Sequence, residues 1–478
     1  MRSVLFARSV LCSGVAVAAL LVNFAAAAET PIGADKQSAV AVTIYNNDLA
    51  LIRDSRSVML TKGENDLAFI EVSAGIRPET ALLTGRGSAL DILEQNFDFD
   101  LLTPQKLLEK SVGQTIRVVR TNPDTGADVT EDATVLSVAE GQVVLKIGDR
   151  IEVTPPGRLV YSAVPATLRD RPTLVVKVAS DKAGEVPVDL SYLTHGLSWA
   201  ADYVAELSPD EKTVNLNGWV TLTNQSGIAY KDAKLQLVAG EVNQVQPPMP
   251  AAPMMEAMDA VGAVRQKMVE EAAFEYHLYS LDRPTTLKEN QTKQVALLSA
   301  EAIPVEKQYL LLNVGNVAGT YLTRLGETGR VNAEVRMKLQ NDEKSHLGLP
   351  LPAGVVRVYK NDSDGDAVFV GEDHIDHTPK NEELDLMLGR AFDVTARGKQ
   401  VSYDKIADNL YETGYEIEVK NAKKEAITVT LREFIPGDWK MLEESAKHAE
   451  YDSATAEWQL QVPAEGSAKL TYKVRITY

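Results

Sequence analysis

The stretch Tyr415–Leu431, YEIEVKNAKKEAITVTL, alternates apolar and polar residues on both sides of a polar centre. A side-chain period of two is that of a β-strand with one face in a core and the other in water. The polar residues Asn421–Glu425 separate the two alternating runs. We therefore predict two strands here and interpret the connection between them as the turn of a β-hairpin.

The C-terminal end of the sequence repeats this arrangement. Apolar residues alternate from Trp458 to Val462 and again from Ala468 to Ile476, with Pro463–Gly466 between the two runs, which predicts a second hairpin. Comparable alternation occurs at Val40–Ile44 and at Val186–Tyr192. The periodicity of the sequence therefore predicts an all-β fold.

The spacing of strands and turns predicts how the chain is divided. Short strands with tight turns predict a small barrel-like insert, preceded by one short helix over Pro104–Ser111. Strands about ten residues apart predict antiparallel β-sandwiches, so we expect a multidomain chain of sandwiches with few short helices. The expected segments are a signal peptide at 1–28, an N-terminal strand region at 29–103, the barrel-like insert at 104–170, the first part of a sandwich at 171–245, a Pro/Met-rich mobile loop at 246–272, and the rest of the sandwich with a C-terminal β domain at 273–478.

The N-terminus has the residue order of a secretory signal peptide. Arg2 and Arg8 are followed by an apolar run from Val10 to Phe24, and then by small residues up to Ala28. Signal peptidase requires a membrane-inserting core and small side chains before the cut, so we expect cleavage after Ala28. The apolar run is shorter than the roughly 20 residues that span a bilayer, which argues against a retained anchor. We expect the protein to be exported to the periplasm, with the cell exterior as the alternative.

Charge and cysteine content argue against several functions. The chain has 49 Lys+Arg and 67 Asp+Glu, and loss of Arg2 and Arg8 changes its net charge from −18 to −20. This charge repels phosphate backbones, so we expect no nucleic-acid partner. The single cysteine, Cys12, lies in the predicted signal peptide, so the mature chain has no disulfide, thiol nucleophile or thiolate metal site. We also expect no transmembrane segment in the mature chain.

Several segments of the sequence resemble a known family. Gly218–Gly227 reads GWVTLTNQSG, Ala233–Gly240 reads AKLQLVAG, and Leu349–Gly354 reads LPLPAG. These segments resemble the bacterial domain-of-unknown-function family number four-one-three-nine, some members of which are described as mucoidy-inhibitor-A-like proteins. The resemblance extends from about Pro172 to the C-terminus. It implies an all-β domain interrupted by the Pro/Met-rich loop, and it implies no activity and no catalytic or cofactor-binding residues.

The sequence contains no common catalytic motif. Gly-x-Ser-x-Gly, His-Glu-x-x-His, the P-loop and the dinucleotide-binding glycine pattern are all absent. The best polar cluster consists of Asp362, Asp364 and Asp366, followed by His374 and His377. Such aspartates offer oxygen ligands for calcium, and such histidines offer nitrogen ligands for zinc. The alternative interpretation is a polar hairpin tip with solvated loop histidines.

Two further groups of residues have two interpretations each. The tryptophans belong either to the core or to a platform for sugar stacking; they are Trp199, Trp219, Trp439 and Trp458. The methionines of the Pro/Met-rich loop belong either to a simple loop or to a site for copper or a partner; they are Met249, Met254, Met255 and Met258.

The functional expectation follows from many strands, no catalytic motif and a long loop. We expect an envelope-associated binding or scaffold module that uses loops and sheet edges, with an envelope protein or a glycan as its partner. The alternative is a periplasmic hydrolase, metal-dependent through calcium or zinc, with a site near Asp362–His377. These two functions differ in whether the side chains of that segment converge in one concave site.

Overall fold

The structure is a computed structural model that describes residues 29–87, 90–98, 100–139, 141–165, 167–240, 242–243, 268–273, 276–320 and 326–477. The predicted signal peptide and residues 246–267 of the predicted Pro/Met-rich loop lie outside these residues. Strands account for 66% of the structure and helices for 4%, so the prediction of an all-β fold is confirmed. The described part of the chain has no helix that is long and apolar enough to cross a membrane.

The elements follow one another along the chain in this order. The first part contains β1 (Thr30–Ile32), β2 (Gln37–Tyr45), β3 (Leu49–Leu60), β4 (Gly63–Ile70), β5 (Leu82–Gly85), β6 (Asp91–Asp98), α1 (Pro104–Glu109), β7 (Thr115–Thr121), β8 (Asp128–Ala139), β9 (Gln142–Ile147), β10 (Arg150–Glu152), β11 (Arg158–Val160) and β12 (Thr173–Ser180). The middle part contains β13 (Gly184–Thr194), β14 (Leu197–Leu207), β15 (Thr213–Asn224), β16 (Tyr230–Ala239), β17 (Met268–Ala273), β18 (Tyr276–Leu281), β19 (Thr285–Leu287), β20 (Gln291–Leu312) and α2 (Val317–Thr320). The last part contains β21 (Val331–Gln340), β22 (Gly354–Asn361), β23 (Ala367–Ile375), β24 (Glu383–Ala407), β25 (Leu410–Asn421), β26 (Ile427–Phe434), β27 (Asp438–Glu444), β28 (Ala449–Asp452), β29 (Thr455–Val462) and β30 (Gly466–Thr477). Short 3₁₀ helices occupy Ala34–Lys36, Pro78–Thr80 and Glu343–Ser345.

The chain forms two compact units, each built from separate segments. The first unit contains the described residues up to Asp35, Val58–Ile70 and Gly87–Val186. Its sheets have the orders β1-β4-β12-β6 and β10-β9-β8-β7-β11. The five-stranded sheet is open, because its three-residue edge strands β10 and β11 pair only with β9 and β7. The insert predicted as barrel-like at 104–170 is thus a five-stranded sheet that does not close into a barrel, and α1 confirms the short helix before it.

The second unit contains Lys36–Ser57, Glu71–Arg86 and Pro187–Tyr478. One of its sheets has the order β17-β18-β16-β2-β3-β13-β5, and the other follows the path β23-β22-β14-β15-β20-β21-β24-β25-β30-β27. At the C-terminal end, β26 pairs with β20 and β29 and forms a second layer. Buried side chains of β25 and β30 pack with those of β26 and β29 in one core. This part of the chain is therefore a β-sandwich.

Both predicted hairpins are wrong. β25 pairs with β24 and β30, whereas β26 pairs with β20 and β29, so the chain crosses from one layer to the other between β25 and β26. The connection between β29 and β30 is a crossover of the same kind, because β30 pairs with β25 and β27. A hairpin and a crossover both put the same apolar residues in the core, so a period of two does not distinguish them.

One asparagine connects the two crossovers. Asn421, at the end of β25, is only 2% exposed. Its Nδ2 donates to the carbonyl oxygen of Glu425 at 2.8 Å and to that of Pro463 at 3.0 Å, and its Oδ1 accepts from the backbone N of Lys423 at 2.9 Å. Glu425 lies in the first crossover and Pro463 in the second. This single side chain therefore satisfies backbone groups in both connections.

The predicted Pro/Met-rich loop ends earlier than expected. Residues 268–272 of that segment belong to β17, which pairs antiparallel with β18 from Met268 opposite Leu281 to Ala273 opposite Tyr276. This corrects the loop boundary of 272. Glutamate and alanine are poor strand formers by intrinsic preference, and pairing with β18 outweighs that preference here.

The sandwich core contains one buried carboxyl group. Glu433 on β26 is fully buried, and its Oε1 accepts from the backbone N of Gly315 at 2.6 Å. Its Oε2 and the hydroxyl of Tyr472 are both buried and have no hydrogen-bond partner among the described residues, and both lie within 3.3 Å of the point that a Cβ on Gly315 would occupy. Burial raises the pKa of Glu433 to about 8, despite the opposing hydrogen bonds from Gly315 and its two neighbours.

Candidate functional site

The three predicted aspartate ligands lie at the tip of the β22–β23 hairpin. The carboxylate of Asp362 accepts hydrogen bonds from the backbone N of Asp364 at 2.9 Å and from that of Asp366 at 3.0 Å. All three residues are exposed. An aspartate that bonds to the backbone of its own turn stabilises that turn. The carboxylate of Asp362 thus has a structural role at the tip.

The two predicted histidine ligands lie at the other end of the same hairpin. His374 pairs with Val355 and Ala367 pairs with Asn361, so His374 is about 20 Å from the tip at roughly 3.3 Å per residue. The ring Nδ1 of His377 lies 3.2 Å from the backbone N of Ala353 and accepts its hydrogen bond. The structure therefore does not bring the aspartates and histidines together.

No other arrangement in the described part of the chain offers a metal site. Among those residues there is no group of three or more His, Cys, Asp or Glu side chains that could hold a metal ion. The observation that would favour a hydrolase, convergence of the Asp362–His377 segment in a concave site, is thus not made.

A broad sheet surface faces outward on the second unit. The inward side chains of β14, such as Tyr203 and Ala205, are buried, so Asp202, Val204 and Glu206 point to the opposite face. Pairing extends this outward face over β23, β22, β14, β15 and the start of β20. We call it the open face. Its rows, read across the strands, are His374–Val355–Asp202–Trp219–Ala296, Glu372–Arg357–Val204–Asn217–Ser299, and Phe369–Tyr359–Glu206–Asn215.

A continuous line of hydrogen-bonded side chains crosses the open face. Gln294 Nε2 donates to Thr221 Oγ1 at 3.2 Å, and Thr221 Oγ1 donates to Asp202 Oδ2 at 2.9 Å. Arg357 Nη1 donates to Asp202 Oδ1 at 2.9 Å, and Arg357 Nε lies 3.2 Å from Glu372 Oε2. The line contains one residue from each of the five strands. The hydrogen bond to Asp202 raises the pKa of Arg357, so the guanidinium stays charged.

Three aromatic side chains lie on one side of this polar line, towards the row of Glu206. Trp219 is 39% exposed, whereas Trp199 is 8% and Trp458 is 1% exposed. On the same side of the line but on β22 and β23, Tyr359 and Phe369 form an edge-to-face pair with ring centroids 5.6 Å apart, and Phe369 is 52% exposed. Trp199 and Trp458 thus belong to the core, and the sugar-stacking interpretation stays open for Trp219.

The inner face explains why Trp219 is turned outward. Gly218 lies against the ring of Tyr203, and a Cβ at this position would be 3.2 Å from Tyr203 Cε1 and 3.0 Å from Leu298 Cγ. The hydroxyl of Tyr203 donates to the carbonyl oxygen of Pro352 at 2.8 Å. Glycine thus gives the buried tyrosine its room, and strand alternation puts the next residue, Trp219, in solvent.

A hollow lies beside the Tyr359 end of the open face. Its volume is about 250 Å³, and its lining residues are Val204, Glu206, Leu207, Tyr359, Asn361 and Ala367. Apolar and hydrogen-bonding groups therefore meet in one concave region, as is typical of small-ligand sites. The hollow is thus a second concave feature of the open face, separate from Trp219, that can accommodate part of a ligand.

Three charged side chains, Glu211, Lys307 and Lys360, form an ion triad near the Tyr359 end of the open face. Glu211, in the turn between β14 and β15, bonds to Lys307 Nζ on β20 and to Lys360 Nζ on β22, each at 2.6 Å. Burial raises the pKa of Glu211, but the hydrogen bonds from the two lysines outweigh that effect and lower the pKa to about 2. The carboxylate stays ionised at neutral pH and holds three elements of the face together.

Comparison with known protein families identifies the family of this chain. The model of the domain of unknown function DUF4139 matches residues 188–478. The chain belongs to the DUF4139 family. No curated protein matches the chain. All strands of the open face lie within the DUF4139 region, and the all-β domain that the resemblance implied is confirmed there.

The sequence did not reveal the polar line. Gln294, Thr221, Asp202, Arg357 and Glu372 are distant from one another along the chain. Only strand order and register bring them together, and the parallel pairing of β14 with β22 joins two strands about 150 residues apart. The sequence does contain one indication that Trp219 faces solvent: in GWVTLTN the tryptophan alternates with the apolar residues Val220 and Leu222, so it belongs to the polar side of the strand.

Proposed function

We propose that this DUF4139 protein is an exported, envelope-associated binding module whose open face binds a glycan. The observation that carries the proposal is the exposed Trp219 next to a fixed line of hydrogen-bond donors and acceptors. Sugar rings present C–H groups on their faces and hydroxyls at their edges. An exposed aromatic ring contacts the former, and positioned amide, carboxylate and guanidinium groups bind the latter.

The open face supports the proposal better than a sheet edge does. β23 is the edge strand beside this face, and a bulge at Val370 interrupts its pairing with β22. At Gly371 the backbone of β24 is so close that a Cβ would lie 2.1 Å from the carbonyl oxygen of Leu388. Bulges and covering strands prevent the addition of another strand. Binding through this edge is therefore less favourable than binding through the face.

Export and periplasmic location are part of the same proposal. They rest on the basic, apolar and small-residue order at 1–28. Fractionation of cells that produce the full chain with a C-terminal tag would test them. Recovery of an uncleaved chain in the cytoplasm would contradict export and would leave the glycan site to be tested separately.

The binding experiment uses the chain from Glu29 to Tyr478 and a panel of cello-, malto- and N-acetylchito-oligosaccharides. Isothermal titration should show binding of at least one series, and Trp219→Ala should weaken that binding at least tenfold. Phe392→Ala is the matched control, because Phe392 is an 83% exposed aromatic residue on β24, outside the open face. Binding that survives in Trp219→Ala, or no binding by any member, would overturn the proposal.

A further inference from the structure

We infer that the open face recognises an uncharged polysaccharide chain that crosses the strands diagonally, rather than a single sugar. The inference rests on the proposed function and specifies the class of glycan. It follows from three properties of the face: the separation of its aromatic side chains, the polar line that runs beside them, and the charge of the surface.

The aromatic side chains are too far apart for one short sugar. Trp219 is two strands from Tyr359 and four residues away along the strand direction. At about 4.8 Å between strands and about 3.3 Å per residue, the two positions are about 16 Å apart. That distance exceeds the length of a disaccharide. A ligand that contacts both aromatic positions must therefore be an oligosaccharide or a polymer.

The polar line runs alongside the path between these two positions. Asp202 is the cross-strand neighbour of Trp219, and Arg357 lies two residues before Tyr359 on the same face of β22. The straight path from Trp219 to Tyr359 crosses β14 at Val204, and the Asp202–Arg357 pair borders this path on one side. This pair offers a guanidinium donor and carboxylate acceptors to ring hydroxyls, and its mutual hydrogen bond at 2.9 Å holds both groups in place.

The charge of the face selects against acidic polymers. The carboxylates of Asp202, Glu206 and Glu372 face solvent here, with Arg357 as the one guanidinium in the three rows. Arg357 contacts both Asp202 and Glu372, so its charge is already partly neutralised. The whole chain carries a net charge of −18. A uronic acid polymer would bring further carboxylates to an acidic surface, whereas a neutral glycan would not.

The test measures affinity against chain length and charge. Within the oligosaccharide series that binds, titration of the chain from Glu29 to Tyr478 should show hexasaccharide binding at least tenfold tighter than disaccharide binding. Tyr359→Ala should weaken hexasaccharide binding at least tenfold and leave disaccharide binding within about threefold of wild type. Polygalacturonate should not compete. Phe392→Ala should behave as wild type, and equal melting temperatures by circular dichroism would show that the variants fold.

The outcomes separate this inference from the proposed function. Equal affinity for disaccharide and hexasaccharide, an unchanged Tyr359→Ala, or competition by polygalacturonate would overturn the polymer inference while glycan binding at Trp219 stands. Absence of binding by every member of the panel would overturn both.

Discussion

Replacement of the buried Asn421 by alanine tests how the C-terminal sandwich is closed. The amide of Asn421 donates to two backbone carbonyls, of Glu425 and Pro463, and accepts from the backbone N of Lys423. The two carbonyls belong to different crossovers between the layers. Asn421→Ala removes all three hydrogen bonds at once and leaves their backbone partners to be satisfied by water.

The expected loss of stability follows from these three bonds. A typical intramolecular hydrogen bond contributes about 1 kcal/mol to stability, and a buried group left without a partner costs about 1–3 kcal/mol. Pro463 and Glu425 are exposed residues, so water can reach part of their backbone. We therefore expect Asn421→Ala to lower the free energy of unfolding by about 3 kcal/mol. Asn421→Asp should be no more stable than Asn421→Ala, because a carboxylate has no N–H group to donate to the two carbonyl oxygens.

Urea denaturation is the assay, with tryptophan fluorescence and circular dichroism as probes. Gln461→Ala is the matched control, since Gln461 lies on β29 of the same sandwich and donates one exposed hydrogen bond to Thr428 at 2.8 Å. This control should lose less than about 1 kcal/mol. The reasoning is refuted if Asn421→Ala is no less stable than Gln461→Ala, or if Asn421→Asp restores wild-type stability.

Two buried or paired carboxyl groups predict opposite dependences on pH. The pKa of Glu433 in the folded chain is about 8, above its usual 4.5, so this group lowers stability by about 1.4 kcal/mol per pH unit as pH rises between these values. Glu433→Gln should therefore gain stability relative to wild type from pH 5 to pH 8 in urea denaturation, and a constant difference would contradict this. The pKa of Glu211 in the folded chain is about 2, so its contribution is full above pH 4.5 and is lost as pH falls towards 2. Glu211→Gln should be less stable than wild type at pH 7 and approach it near pH 3; a deficit of the same size at both pH values would show that the ion triad does not stabilise the fold.

The sequence predicts strands well and their partners poorly. Alternation over Tyr415–Leu431 predicts β25 and β26 correctly, because burial of one face requires a period of two whichever strand lies alongside. It gives no information on whether the next strand returns beside the first or crosses to the opposite layer. The Asn421–Glu425 connection also lacks the two-residue Asn-Gly or Asp-Gly turn that favours a tight hairpin.

The candidate site was hidden for the same reason. Asp362, Asp364 and Asp366 are close together in sequence, which predicted a site, but in the structure the carboxylate of Asp362 stabilises the turn that contains all three. Asp202 and Arg357 are 155 residues apart, and they meet only because β14 and β22 are parallel neighbours. Local sequence patterns identify residues of one turn, whereas a sheet surface is assembled from strand order and register.

An asparagine that ends an alternating run is a local sequence pattern that marks the end of a strand in this chain. Three asparagines each follow an apolar and a polar residue at or just after a strand end, as in Leu-Thr-Asn224, Leu-Gln-Asn341 and Val-Lys-Asn421. The alternation turns each asparagine inward, where all three are buried. An inward amide can bond the backbone of a crossover that would otherwise bury unpaired carbonyls.

Two of these asparagines, Asn224 and Asn341, bond to backbone groups next to strands of the open face. Asn224 donates to the carbonyl oxygen of Ile228 at 2.9 Å at the end of β15, and Asn341 donates to the carbonyl oxygens of Leu349 at 2.6 Å and Pro379 at 2.8 Å on either side of the β22–β23 hairpin. These bonds secure the connections on the buried side of the sheet. Asn224 and Asn341 thus hold the chain at the ends of the strands that carry Trp219 and Arg357, and they do so from the buried side, which leaves the outward positions of those strands to other side chains.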